Sequence, residues 1–168
     1  MAKYRPRPTE RAHQLPLPPQ FLTHGNSCLK PGQPDNFVVT NAKVADYKRC
    51  SYESCSLNKD SQVLDVGCGV GTDVLNLLKI VGGEGTGKVI GIDRSQGLLD
   101  EAIKFVHNNL PEAVQTNRAT FVNGDVYQLP FGDGTFDASR TDRVLQHLED
   151  PTAALKEMVP SSFVSRLG

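Results

Sequence analysis

From about residue 61 onward, short apolar runs alternate with longer segments in which apolar residues recur every three to four positions. A short apolar run bounded by glycine or polar residues is typical of a buried strand, and the longer repeat is typical of an amphipathic helix. Because strands that alternate with helices usually pair in parallel, the pattern predicts an α/β fold with a mostly parallel sheet.

Four apolar runs are predicted to form the strands of this sheet. They are Val63–Val66, KVIGID at residues 88–93, Ala119–Val122 and FDASR at residues 136–140. Each run ends at, or is followed closely by, glycine or polar residues. Ligands of open parallel sheets bind beyond the carboxyl ends of the strands, so we expect the functional site at that edge.

Two helices between these strands have a clear apolar face. The first follows Gly71 and carries the apolar residues Val74, Leu75, Leu77, Leu78 and Val81. The second covers residues 96–109 and is predicted to bury one face formed by Leu98, Leu99, Ala102, Ile103, Phe105 and Val106. Ser95 is a suitable N-cap for this second helix, and Pro111 marks its end.

The N-terminal part of the chain is less regular. Residues 1–40 hold seven of the 11 prolines and few apolar residues, so they are predicted to be extended or disordered, or to form a lid. Residues 41–57 are predicted to form a helix that turns Val44, Tyr47 and Tyr52 inward.

Two further helices are predicted after the fourth strand. One covers residues 143–149 and carries His147. The other begins at Asp150 and Pro151, since proline suits the first position of a helix. Pro160 is expected to end it, because proline has no N–H group to donate.

The run VLDVGCGVG at residues 63–71 is the most informative part of the sequence. Gly67, Gly69 and Gly71 alternate directly after the first strand and before a helix. Glycine has no Cβ, so a ligand can approach the backbone, and the N–H groups that begin the helix favour an anionic group. The spacing differs from the G-x-G-x-x-G of dinucleotide-binding loops. A loop that merely turns the chain is the alternative.

Two acids extend this pattern along the same edge of the sheet. Asp93 ends the second strand, 22 residues after Gly71, where a carboxylate can accept hydrogen bonds from both ribose hydroxyls of an adenosine ligand. Asp125 follows the third strand within NGDV, residues 123–126. These positions favour an adenosine-containing ligand over a purely structural loop.

Taken together, these motifs resemble the class I S-adenosylmethionine-dependent methyltransferases, in particular the group that includes the ubiquinone and menaquinone biosynthesis enzymes. The stretches that carry the resemblance lie within roughly residues 60–158 and are VLDVGCGVG, VIGID, NGDVYQLPFGDGTFD and RVLQHLEDPTAALKEM. The resemblance implies a Rossmann-like sheet of strand order 3-2-1-4-5-7-6, with S-adenosylmethionine as the cofactor and a small molecule as the methyl acceptor.

The same resemblance implies a role for each motif. Asp65 and the glycine loop line the methionine end of the cofactor, and Asp93 holds the ribose. Asp125 and Val126 lie at the adenine, and the segment near Thr141 and Asp142 faces the transferable methyl group and the substrate. The cofactor-binding residues implied in this way are Asp65, Gly67, Cys68, Gly69, Gly71, Asp93, Arg94, Gly124, Asp125, Val126 and Thr141.

The catalytic residues are not identified by these motifs. A sulfonium is already activated, so positioning and exclusion of water can supply most of the acceleration. If the acceptor must lose a proton, Asp142 and His147 are the candidate bases, although a histidine at such a position is more often a packing or capping residue. Arg140 and Arg143 could hold an anionic substrate, but surface arginines usually have no specific role.

Composition narrows the function classes. The net charge of −1 does not predict a nucleic-acid partner, and no apolar run reaches the ~18 residues that span a membrane. The four cysteines form no C-x-x-C pair, so no metal site is predicted, and Cys68 is expected to be a packing residue. The cytoplasm is the expected compartment.

The C-terminal part departs from the family pattern. Residues 41–159 are predicted to form the cofactor-binding part of the domain, with strands 1 to 4 but without recognisable strands 5 to 7, and residues 160–168 an atypical tail. This pattern predicts a truncated domain in which strand 4 is an exposed edge, a place where two copies could dimerise.

Three functions therefore remain open at this point. A methyltransferase that acts on a small molecule is favoured. A truncated module that binds S-adenosylmethionine or pairs with another subunit, without turnover, is the second. The third is an NAD(P)-linked oxidoreductase, which the glycine spacing disfavours.

Overall fold

The computed structural model describes residues 41–161. The predictions for residues 1–40 and for most of the C-terminal tail, residues 162–168, lie outside the described residues. Among residues 41–161, no helix is both long enough and apolar enough to cross a membrane.

Nine helices and strands, together with one 3₁₀ turn, make up the described part of the chain. Its helices are α1 Asn41–Ser54, α2 Thr72–Val81, α3 Gln96–Asn109, α4 Pro111–Gln115 and α5 Pro151–Ser161. Its strands are β1 Gln62–Val66, β2 Lys88–Asp93, β3 Ala119–Asn123 and β4 Ala138–Thr141, and the 3₁₀ turn is Leu145–His147.

The four strands form one parallel sheet in the order β3-β2-β1-β4. Val66, near the carboxyl end of β1, lies opposite Ile92 of β2 and Thr141 of β4. The strand ends therefore meet at one edge, as the sequence predicts, and the α/β fold with a parallel sheet is confirmed. Within the described residues, β4 has a strand neighbour on one side only.

Apolar residues cover both faces of the sheet, which explains why the strands read as continuous apolar runs. Val63 and Val89 pack with α2 and α3 on one face, in a cluster that also contains Leu77, Leu78, Leu99 and Val106. Leu64 and Val66 pack on the other face, in a cluster with Ile92, Leu129, Phe136 and Met158. The side chains of the central strand β1 therefore pack into an apolar layer on each face of the sheet.

The predicted helix over residues 96–109 has the expected bounds, and Ser95 accepts a hydrogen bond from the Leu98 N–H as its N-cap. The predicted apolar face is wrong in part. Only Leu99, Ala102 and Val106 are buried, whereas Leu98, Ile103 and Phe105 are exposed. A helix that lies against one surface buries a narrow stripe, and these three lie outside the stripe defined by the buried positions.

Helix α1 also differs from its prediction. It ends at Ser54 instead of residue 57, and Tyr52 is buried as expected. Tyr47 is 41% exposed, so the prediction that it turns inward is wrong. The Tyr47 hydroxyl donates to Asp142 at 3.4 Å. The side chain of Val44 lies outside the part that the structure describes.

The helix predicted for residues 143–149 is wrong. A single 3₁₀ turn forms at Leu145–His147, because Arg143 has a left-handed φ of 58° and Leu148 is already extended. Pro160 does not end α5, which continues to Ser161. Loss of one N–H near the last turn removes a single backbone hydrogen bond, and the helix ends one residue later.

Two shorter differences concern Pro111 and β4. Pro111 ends α3 as predicted, and it is also the first residue of α4, a position that suits its fixed φ. Strand β4 begins at Ala138 instead of residue 136. Phe136 is fully buried against Phe131, with ring centroids 5.0 Å apart, so it leads into the strand as a core contact. Asp137 is exposed and accepts a hydrogen bond from Gln62 N–H at 2.7 Å.

We predict that Phe136→Ala lowers the free energy of unfolding by about 3–5 kcal/mol, because it leaves a cavity under the sheet. Urea unfolding of the purified protein measures this change. Phe105→Ala is the matched control, since Phe105 is 36% exposed and should cost less than half as much. Equal losses for the two variants would contradict the packing described above.

Candidate functional site

The loop between β1 and α2 has an unusual backbone. Gly67, Gly69 and Gly71 have φ values of 71°, 53° and 79°, in the left-handed region that favours glycine. The N–H groups of Gly67 and Cys68 both donate to the carbonyl of Ile92, at 2.7 and 3.1 Å. The loop is therefore held against the end of β2 by backbone hydrogen bonds.

The three glycines face different surroundings. A Cβ at Gly67 would collide with Val144, and one at Gly71 would lie 3.0 Å from the Cβ of Ala102. A Cβ at Gly69 would meet nothing within 4 Å. Gly67 and Gly71 are thus required for packing within the protein, and Gly69 is where the loop opens to space that a ligand could use.

Asp93 supports the loop directly. One carboxylate oxygen accepts a hydrogen bond from Gly69 N–H at 3.0 Å, and the other accepts from Ser95 N–H at 2.9 Å. A carboxylate has about four lone-pair positions, so Asp93 can accept further hydrogen bonds from a ligand. Its position at the end of β2 agrees with the sequence prediction.

The residues predicted for the adenine end lie near the end of β3. Gly124 N–H donates to the Asp93 carbonyl at 3.1 Å, which joins the ends of β2 and β3. Asp125 and Arg94 are exposed, and Asp125 accepts from Tyr127 N–H at 2.9 Å in a tight turn. Val126 packs against the apolar cluster below the sheet.

A cleft of about 800 Å³ lies beside the glycine loop. Its lining includes four residues that the sequence predicts, Gly67, Cys68, Gly69 and Asp142. Arg143, considered above as a possible contact for an anionic substrate, also lines it. The other eight lining residues were not predicted for the site: Lys48, Arg49, Tyr52, Val70, Thr72, Asp73, Asn76 and Leu98. Asp93, Asp125, Thr141 and His147 do not line it.

A largely buried group of charged side chains lies at the wall of this cleft and behind it, and we call it the ion cluster: Lys48, Asp73 and Asp142, which line the cleft, with Asp65 and Arg140, which do not. Arg140 Nη1 lies 3.2 Å from Asp65 Oδ1 and 3.0 Å from Asp73 Oδ2. Lys48 Nζ lies 2.7 Å from Asp73 and 3.3 Å from Asp142. The cluster thus joins α1, α2, β1 and the end of β4.

Tyr52 also contacts the ion cluster. Its hydroxyl donates to Asp73 at 2.6 Å, and its ring lies 5.1 Å from the guanidinium carbon of Arg140. Burial raises the pKa of Tyr52, and its hydrogen bond to Asp73 raises it further. Tyr52 therefore remains a neutral donor at any physiological pH.

Asp65 and Asp73 have opposite pKa shifts. Burial raises the pKa of Asp65 to about 7, although the charge of Arg140 opposes this rise. Burial also acts to raise the pKa of Asp73, but hydrogen bonds from Lys48 and Tyr52 outweigh it and lower the pKa to about 2. Burial disfavours the charged Arg140, yet the carboxylates of Asp65 and Asp73 raise its pKa above the usual value.

Two buried oxygens have no hydrogen-bond partner within residues 41–161. They are Oδ2 of Asp65 and Oγ1 of Thr141. Both residues are at the carboxyl edge of the sheet, on the neighbouring strands β1 and β4. Thr141 was predicted to face the cofactor, and its hydroxyl is buried beside the cleft without lining it.

Cys68 and His147 lack the surroundings of catalytic groups. Cys68 is 8% exposed within the apolar cluster, and burial raises the pKa of its thiol to about 12. A thiol with so high a pKa is a poor nucleophile at neutral pH, so the predicted packing role is confirmed. His147 is exposed on the 3₁₀ turn, with its Nε2 atom 3.1 Å from the Gln146 amide nitrogen.

The residues that sequence analysis missed are the ones that long-range pairing brings to the cleft. Lys48 and Tyr52 are spaced four residues apart on α1, so both face the start of α2. Asp73 lies in the first turn of α2, where an acid is favourable next to the helix N-terminus. These two local signals could have suggested that α1 contacts Asp73, but they could not have predicted the contact of Asp73 with Arg140.

Comparisons with known proteins agree with this geometry. The methyltransferase domain family matches residues 63–161, more than half of the 168-residue chain. An uncharacterised methyltransferase of Schizosaccharomyces pombe is 41% identical over 126 residues, which are 74% of this chain and 44% of that protein. A demethylmenaquinone methyltransferase of Staphylococcus aureus is 34% identical over 123 residues, 73% of this chain and 47% of the relative.

A solved structure agrees in fold. The crystal structure of an S-adenosylmethionine-dependent methyltransferase from Aquifex aeolicus aligns with a TM-score of 0.57 and 23% identity, over 68% of this chain and 57% of that one. The chain spans less than half the length of each of the two relatives named above. By its sequence match and its fold, the chain belongs to the class I S-adenosylmethionine-dependent methyltransferases.

S-adenosylmethionine is the cofactor of this family, and the described residues fit it. The cradle is a glycine loop whose central residue, Gly69, has open space where a Cβ would be. Next to it are the first turn of α2 and the carboxylate of Asp93, which suit an anionic group and a ribose respectively. The donors and acceptors present therefore fit the carboxylate and the ribose of this cofactor.

We predict that Asp65 makes the stability of the protein depend on pH. Its raised pKa of about 7 means that, between about pH 4 and pH 7, the folded state keeps a proton that the unfolded chain has lost. Unfolding then releases a proton, so stability falls as the pH rises through this window. The wild type should lose up to about 1.4 kcal/mol per pH unit relative to Asp65→Asn.

Urea unfolding of both proteins from pH 4.5 to pH 7.5 measures this difference. Asp133→Asn is the control, because Asp133 is exposed and its loss should leave the wild-type pH dependence unchanged. Parallel curves for the wild type and Asp65→Asn would show that Asp65 does not titrate in this range.

Proposed function

We propose that this chain binds S-adenosylmethionine beside the glycine loop and transfers its methyl group to a small-molecule acceptor. The observation that carries the proposal is the open side of Gly69, in a left-handed loop that Asp93 holds at the carboxyl edge of a parallel sheet. Family membership supports the reaction, and the geometry of the loop supports the place where it occurs.

Each part of the cofactor has candidate binding residues. The loop from Gly67 to Gly71 and the first turn of α2 would hold the methionine end. Asp93 would accept the ribose hydroxyls with the lone pairs that Gly69 and Ser95 leave available. Residues 124–126 and Arg94, which follow β3 and β2, would lie around the adenine.

Methyl transfer itself needs little from the side chains. When bound, S-adenosylmethionine supplies an activated methyl group that an acceptor can take by in-line displacement. The cleft would hold the acceptor and exclude water, which supplies most of the acceleration in such a reaction. Asp142 lines the cleft, and its carboxylate could accept a proton from the acceptor at Oδ1 or Oδ2.

The second candidate function, binding without turnover, is favoured by one observation. Strand β4 has a strand neighbour on one side only within the described residues, so its other edge could pair with a second copy or another protein. The relatives are more than twice as long as the matched segment, so partner and substrate remain proposals. A cytoplasmic location and the absence of a nucleic-acid partner stay predictions from the sequence.

We predict that Gly69→Ala weakens S-adenosylmethionine binding at least about tenfold, equivalent to about 1.4 kcal/mol. The added methyl group would occupy the space in which the ligand approaches the backbone. Isothermal titration calorimetry on the 168-residue chain measures the affinity.

Gly134→Ala is the matched control, because Gly134 also has a left-handed φ, 66°, but does not line the cleft. Both variants carry the same backbone strain of roughly 1–2 kcal/mol, so only Gly69→Ala should lose affinity. Equal affinity in the two variants would mean that the loop only turns the chain. Tighter binding of a nicotinamide dinucleotide would favour the oxidoreductase alternative.

We predict that Asp142→Asn lowers kcat about 100-fold or more, the range for loss of a general base, with little change in S-adenosylmethionine affinity. His147→Asn is the control and should leave kcat unchanged, because His147 lies outside the cleft. Turnover is measured by transfer of a labelled methyl group to a panel of phenols, amines and thiols. Cofactor binding without transfer to any acceptor would support the second candidate function.

A further inference from the structure

Arg140 is a buried cation in a strand of the central sheet. Its side chain is 7% exposed, and it lies between Asp65 of β1 and Asp73 of α2. Tyr52 covers the guanidinium from the side of α1. A charge so far from water is costly unless both it and its partners are well paired, and here one guanidinium contacts two carboxylates.

The two acids have a special position in the chain. Asp65 stands two residues before Gly67, and Asp73 stands two residues after Gly71. Together they bracket the glycine loop, and the guanidinium of Arg140 contacts both. A single side chain on β4 therefore connects the entrance and the exit of the loop.

We infer that Arg140 is a positioning residue that holds the glycine loop in its left-handed conformation by pairing with Asp65 and Asp73. The inference rests on the proposed function, since the loop is the part that would bind the methionine end of the cofactor. Arg140 itself does not line the cleft, so it acts through the two acids and not by touching a ligand.

The geometry explains why this position holds arginine. The guanidinium is planar, and its Nη1 atom carries two N–H groups in fixed directions, so this one nitrogen lies 3.2 Å from Asp65 and 3.0 Å from Asp73. Lysine would offer a single ammonium at the end of a flexible chain. Lys48 already provides such a contact to Asp73, at 2.7 Å from the opposite side.

Loss of Arg140 would leave Asp65 in an unfavourable state. Arg140 donates to its Oδ1, and Oδ2 has no partner within the described residues. Above about pH 7, where Asp65 is ionised in the wild type, its carboxylate would have to take up a proton or move toward water. Either change occurs two residues before Gly67, so it would alter the start of the loop.

Arg140 variants are compared with a matched arginine elsewhere in the protein. Arg140→Met and Arg140→Lys both remove the planar guanidinium, and only the lysine variant keeps the charge. Arg118→Met is the control, because Arg118 is a half-buried arginine whose Nε donates to the Gly87 carbonyl, outside the cleft. The readouts are urea unfolding, S-adenosylmethionine affinity by calorimetry, and hydrogen exchange of the amides of residues 67–72.

We expect Arg140→Met to weaken S-adenosylmethionine binding about 10- to 100-fold, as removal of the partners that orient metal ligands does in metal sites. The loop amides should exchange faster even without cofactor. In Arg140→Lys both changes, the weaker binding and the faster exchange, should be smaller than in Arg140→Met. Arg118→Met should lower the urea midpoint without changing cofactor affinity or loop exchange. If Arg140→Met does not fold, the same measurements on Arg140→Lys decide whether Arg140 positions the loop.

The inference is wrong if a folded Arg140 variant keeps wild-type loop exchange and binds the cofactor within twofold of wild type. It is also wrong if Arg118→Met weakens binding as much, because the role of Arg140 would then be general stability. If the wild type does not bind S-adenosylmethionine, the proposed function fails, and loop exchange in the Arg140 variants still decides whether Arg140 positions the loop.

Discussion

The pairing of Arg140 with Asp65 and Asp73 is the interaction on which the site depends. Removing three charges from water is unfavourable, and only close pairing with good geometry offsets this cost. Arg140 can reach both acids because Asp65 and Arg140 lie opposite each other in the parallel register of β1 and β4. The position of the loop therefore follows from the register of the sheet, and the register follows from the apolar residues on both faces of β1.

The bounds of β2 and the position of the loop could be predicted from sequence because both depend on local signals, whereas the strand order is implied only by the resemblance to a family. KVIGID carries its apolar residues and its final acid in six consecutive positions, and the strand has these same bounds. The glycines at 67, 69 and 71 indicate a left-handed backbone without any knowledge of the fold, and all three have positive φ. Ser95 caps α3 through a contact three residues away.

The ion cluster could not be predicted from sequence, since its members are far apart in the chain. Arg140 and Asp65 are separated by 75 residues, and Lys48 and Asp73 by 25. Burial of an arginine runs against its usual place at the surface, and only the sheet register makes it possible. The error at α3 has a similar cause, because the exposure of Phe105 is decided by how the helix lies on the sheet and not by its own sequence.

The loop is held by the protein before any ligand is considered, and this bears on how a cofactor would bind. Ile92 accepts from two loop amides, Asp93 accepts from Gly69, and the ion cluster connects both ends. A site ordered in advance loses less conformational entropy when its ligand arrives, so more of the contact energy appears as affinity. Asp93 takes part in both tasks, because the same carboxylate that supports Gly69 is the one proposed to accept the ribose. Binding at the ribose and the conformation of the loop are therefore coupled through one side chain.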